Sequence, residues 1–121
     1  MRIIQEVLGS IHALEQELDV GNPHRASEIC VEIASHLARL SEPLNQSEED
    51  YLLSRGELYR AKLDAGMKPT PAKDSLEFND DLNIQKMRIE KVKDFIRSRE
   101  KLILRVENHL RNEVMMERKG I

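Results

Sequence analysis

Residues 82–110 read LNIQKMRIEKVKDFIRSREKLILRVENHL. Leu82, Ile89, Ile96, Ile103 and Leu110 fall seven apart, close to two helical turns per step, so all five share one face of a long helix. Phe95 and Leu102 stand one position before that row, and Val92 and Val106 three after it. The resulting stripe is too broad for the seam of a two-stranded coiled coil and suits the interior of a helical bundle. Two questions follow: what covers this stripe, and what the eight Lys or Arg between Lys86 and Arg105 are for.

Working outward, Asn79 or Asp80 can cap this last helix, which the periodicity predicts over about 81–117. Before it lies the one long connection, MKPTPAKDSLEFNDD, where Thr70-Pro71 can start a short helical turn and Leu76 and Phe78 are expected to pack over the end of the bundle. Gly66 is a natural C′ residue for a third helix, predicted over 47–65. Its expected buried row is Leu52, Gly56, Tyr59 and Leu63, with Leu58 beside it. Asn45 or Ser47 would be its N-cap, with Glu48 or Asp50 as the respective capping-box partner. The acidic run Glu48-Glu49-Asp50 would then meet the positive end of the helix dipole.

Pro43 is expected to end a second helix, about 23–41, whose apolar positions are Ala26, Ile29, Cys30, Ile33, Leu37 and Leu40. The first helix, about 2–19, repeats Ile4, Val7, Ile11, Leu14 and Leu18 at 3-4-3-4 spacing. Between them Gly21-Asn22-Pro23 supplies a stop, a cap and an N1 proline. The fold class is therefore all-α: a bundle of four helices forming a single domain over 1–121. It comprises a hairpin over 1–42 and a second, with its long connection, over 45–121.

Composition agrees. The chain has 121 residues with few glycines, prolines and aromatics, a profile that favours helices over sheet. One cysteine cannot form an internal disulfide, and no apolar run is long enough for a membrane span or a signal peptide, so a cytoplasmic location is expected. The net charge of −3 conceals an asymmetry, −7 over residues 1–50 and +4 over 51–121. An acidic front half pairing with a basic back half is the simplest reading of it.

At ~1.5 Å per residue, ~36 residues of last helix reach roughly 54 Å, against roughly 28 Å for ~19 residues of the third. The uncovered part, with Leu102, Ile103, Val106, Leu110 and Val114, needs cover from the first hairpin or from another subunit. Ile84, Met87, Leu104 and Met115 lie off the stripe, which favours self-association, most simply a two-fold dimer. Arg99 occupies a position equivalent to Val92 and Val106. Such a charge can set register or oligomer state, and it is expected either to snorkel, to pair with an acid of the first half, or to contact a ligand. Arg99, Leu102, Ile103, Leu104, Val106, Leu110 and Val114 form the expected interface.

Tyr51, Arg55 and Tyr59 fall four apart on one face of the third helix, with Lys62 continuing it. Rings flanking a guanidinium can hold an anionic, nucleotide-like ligand by stacking and charge. Lys68, Thr70 and Lys73 in the connection add two ammonium groups and a hydroxyl, without the glycines of a phosphate-binding loop. The basic run of the last helix is interrupted by Glu90, Asp94 and Glu100 and spread around the helix, which argues against a nucleic-acid stripe.

Catalysis finds no support. His12 with Glu15, and Glu32 with His36, stand at helical spacing, but neither forms a recognised metal motif, and His24 and His109 lack partners at ligand spacing. No cofactor is implied. Cys30 lies on an apolar row and reads as a small core residue.

In size, helical character and absence of catalytic motifs the chain is similar to many small accessory proteins of tailed phages, among them inhibitors of host machinery. That resemblance implies an oligomeric protein acting by binding a partner macromolecule, most simply a protein. Capture of an anionic small molecule between subunits and nucleic-acid binding through the last helix are the alternatives.

Overall fold

The computed structural model describes residues 2–19 and 21–119. Its described residues form helices and turns without a strand: α1 (Arg2–Gln16), α2 (Pro23–Arg39), α3 (Ser41–Asp64), α4 (Pro69–Leu76) and α5 (Asp80–Lys119). The chain divides into two compact units, one from its start to Pro43 together with Asp94 onward, the other spanning Leu44–Lys93. Helix α5 runs through both units.

In the first unit α1 and α2 pack on each other. Ile4, Val7 and Ile11 are buried on α1, and Ala26, Ile29, Cys30, Ile33 and Leu37 on α2, the positions that three- and four-residue spacing selects. Asn22 caps α2, its side-chain oxygen accepting from the Arg25 backbone N–H at 3.3 Å, and Pro23 begins the helix where its missing N–H costs nothing. Helix α1 stops at Gln16 rather than near residue 19. Tight three-residue hydrogen bonds replace helical ones there, from the Glu17 N–H to the Leu14 carbonyl and from Leu18 to Glu15. Leu18 still packs against Ala26, Cys30 and Val106, where Leu102, Ile103 and Leu110 of α5 join it. The first hairpin is thus the cover for this part of the stripe.

The third helix starts earlier than the sequence suggests. Only Leu40, in right-handed helical conformation, separates α2 from α3, and Pro43 sits in the first turn of α3 instead of terminating α2. A proline in a first turn removes an N–H that has no intrahelical acceptor anyway, so Pro43 is as compatible with a start as with a stop. Consequently Asn45 and Ser47 lie inside the helix and are not its cap. The Glu48-Glu49-Asp50 run stands beyond the first turn, away from the dipole end. Glu48 instead pairs with Lys93 at 3.1 Å.

The second unit buries Leu44, Ala72, Leu76, Leu82, Ile89 and Val92. Helix α3 ends in a Schellman motif: Gly66 has φ 97°, its N–H donates to the Leu63 carbonyl, and the Met67 N–H donates to Lys62. Asn79 caps α5 by accepting from the Leu82 N–H at 3.0 Å. None of the expected buried row of α3 is buried: Gly56, Leu58, Tyr59 and Leu63 are half-buried and Leu52 is 61% exposed, while Phe78 is 83% exposed. Helix α4 is only eight residues long and buries just Ala72 and Leu76, leaving Leu52 beside a gap rather than beneath a cover. Phe78 falls in the corner after α4, where the turn from the Ser75 carbonyl to its own N–H holds it at the surface.

Candidate binding surfaces

The gap between α3 and α4 is a pocket of about 260 Å³ lined by Leu52, Arg55, Gly56, Tyr59, Lys73 and Leu76. Residues 52, 55, 56 and 59 share a face of α3 because they lie three and four apart. Lys73 and Leu76 do the same on α4. Leucines and the tyrosine ring make the walls apolar, while Arg55 and Lys73 bring positive charge. Among the described residues neither cation has an ion-pair partner, and the Tyr59 hydroxyl has no hydrogen bond. By contrast Lys93, in the same unit, is held by Glu48 at 3.1 Å and lies 3.9 Å from Glu90.

Of the seven residues read as ligand contacts, the fold gathers Arg55, Tyr59 and Lys73 around this pocket. Tyr51 and Lys62 are half-buried on α3 and do not line it. Lys68 is the N-cap residue of α4 and Thr70 follows in its first turn; both are exposed and outside the pocket. Leu52 and Gly56 line it although their spacing reads as core. Leu76 enters from α4, whose placement against α3 no local signal reveals.

In the first unit Arg99 is a structural residue. Its Nε donates to the Glu15 carboxylate of α1, and its guanidinium lies 4.3 Å from the centroid of the Phe95 ring. A second ionic cluster surrounds Arg25, with Glu17 at 2.8 Å, Glu28 at 3.2 Å and Glu32 at 3.7 Å. Hydrogen bonds that the guanidinium donates, first to Glu17 and then to Glu28, hold the Arg25 pKa above its ordinary range. His24 Nε2 also lies 2.9 Å from a Glu28 carboxylate oxygen on this surface. Burial, then the Glu107 carboxylate, pushes the Cys30 thiol up, which keeps it protonated and unreactive.

The interface set divides. Leu102, Ile103, Val106 and Leu110 pack within the chain, while Leu104 and Val114 remain exposed. Val114 follows Leu110 by one turn and continues the row of Ile103 and Leu110, yet it is 47% exposed; Met115 is 47% and Met116 71% exposed. Of the eight cations between Lys86 and Arg105, Lys93, Arg97 and Arg99 are engaged by acids of the chain. Among the described residues no group of three His, Cys, Asp or Glu is placed to hold a metal, and no helix is long and apolar enough to cross a membrane. Comparison with family models, with curated proteins and with solved structures finds no match for this chain.

Proposed function

We propose that this is a non-enzymatic interaction protein that works by binding other polypeptide chains, a second copy of itself first, through the uncovered end of α5. The observation that carries the reading is the continuation of the apolar stripe to Val114, beyond the residues the chain itself covers, with exposed Met115 and Met116 on adjoining faces of the same turn. Exposed apolar side chains gathered in one place mark contact surfaces, whereas scattered ones mean little. A two-fold axis would bring the same patch of two copies together and bury it on both. Methionines adapt to differently shaped partners, so the same patch suits a foreign protein as well as a second copy.

Sedimentation velocity over a wide concentration range tests this. The wild-type chain is expected to form dimers or higher oligomers, and Val114→Glu with Met115→Glu to be monomeric with unchanged helical circular dichroism. A wild-type chain that stays monomeric throughout overturns the self-association on which the reading rests. Pairing of Lys93, Arg97 and Arg99 with acids of the chain favours a polypeptide partner over nucleic acid for the basic run of α5.

A further inference from the structure

We infer that the pocket between α3 and α4 binds a small molecule that joins a compact apolar body to one anionic group, a carboxylate or a phosphate. The inference is independent of the contact surface on α5, because every lining residue belongs to the second unit.

The lining specifies the ligand. Leu52, Leu76 and the Tyr59 ring offer apolar surface to a hydrocarbon or aromatic body. Arg55 presents a planar fork of donors that matches two oxygens of one carboxylate or phosphate, and Lys73 approaches from the other helix as a point charge. Among the described residues neither cation has an acid to neutralise it, and the Tyr59 hydroxyl adds a donor without a partner there. The cavity of about 260 Å³ lies just under the ~300 Å³ lower bound of ordinary small-molecule pockets. A body of one or two rings matches that space.

Gly56 supplies a second argument. A glycine inside a helix weakens it, and neither backbone nor packing requires one here. Its φ is not positive, and a Cβ would meet nothing nearer than the Arg60 guanidinium, at 3.9 Å. What the missing side chain does is keep the pocket open. The walls are also held in place: Glu48–Lys93 and the Gly66 motif fix α3, and buried Ala72 and Leu76 fix α4. Arg55 from α3 and Lys73 from α4 both border the pocket on these helices, and a site whose walls are already in place loses less entropy on binding.

The test is an amide NMR titration of the full chain with 2-naphthoate and with 2-naphthyl phosphate, set against neutral 2-naphthamide and inorganic phosphate. At least one anionic naphthyl probe is expected to give saturable shifts confined to residues around 52–59 and 72–76. The ratio of the two affinities shows whether carboxylate or phosphate is preferred. The amide and inorganic phosphate should each bind at least about tenfold more weakly. Arg55→Gln should cost about tenfold as well, while Lys91→Gln, an exposed cation of α5, should cost nothing. Gly56→Leu should fill the pocket and abolish binding without lowering the melting temperature. Equal binding of the amide, undiminished binding by Gly56→Leu or Arg55→Gln, or no saturable shift with either anion overturns the assignment.

Discussion

Arg99 occupies a position that the spacing of Val92 and Val106 reserves for an aliphatic side chain. The structure resolves the misfit by pairing it with Glu15, 84 residues away in sequence, and laying its guanidinium over Phe95. A half-buried charge that loses its partner keeps the cost of desolvation and loses the compensation. Arg99→Ala and Glu15→Ala are each expected to lower stability by about 1–3 kcal/mol in urea unfolding. The double mutant should lose less than the sum, since each single change already breaks the same contact. Cys30 gives a prediction of opposite kind. Its folded pKa is raised above the unfolded value of ~8.5, so its contribution is complete below that pH and is lost as pH rises through the folded value, because the unfolded thiol ionises first. Urea midpoints of the wild type should therefore fall more steeply above about pH 8.5 than those of Cys30→Val. Equal slopes would mean that burial does not perturb the thiol. The misfit of Arg99 and the apolar setting of Cys30 are both visible in the sequence, whereas the identity of Glu15 as partner depends on chain closure.

At the level of the helices, residues whose side chains or φ angles act locally were readable. Asn22, Gly66 and Asn79 each end or begin a helix by hydrogen bonds that reach no further than a few positions along the chain. The start of α3 was not readable, because Pro43 fits the first turn of one helix as well as the end of another. Two plausible caps then drew the boundary to the wrong place, and the acidic run with it. Gly56 is the position where local preference and structure diverge most. With room for a Cβ and a helical backbone, Gly56→Ala is expected to raise stability by about 0.5–1 kcal/mol. The check is thermal or urea unfolding, and a loss of stability would show that this turn of α3 tolerates no side chain. Part of the pocket could be anticipated from the i, i+4 spacing of Arg55 and Tyr59. Its depth and apolar walls could not, since they come from the separation between α3 and the short α4.

Across the whole molecule, the chain's charge asymmetry is partly internal: Glu15 with Arg99 joins the acidic front to the basic back within one unit. The apolar row of α5 is likewise met in part by the chain's own first hairpin and in part left open at Val114. If the open end is a contact between copies, the midpoint of thermal unfolding should rise with protein concentration. That dependence should vanish in Val114→Glu with Met115→Glu, and a wild-type midpoint independent of concentration would count against the contact. Periodicity and composition are enough to specify an all-helical chain, the apolar faces of α1, α2 and α5, and most caps, because each depends on interactions within about one helical turn. Which face covers which, where Arg99 finds its acid, and how Arg55 and Lys73 come to share a pocket are settled only by tertiary packing. Those pairings join residues far apart in the chain, and the side-chain pattern along one helix carries no record of the helix that will lie against it.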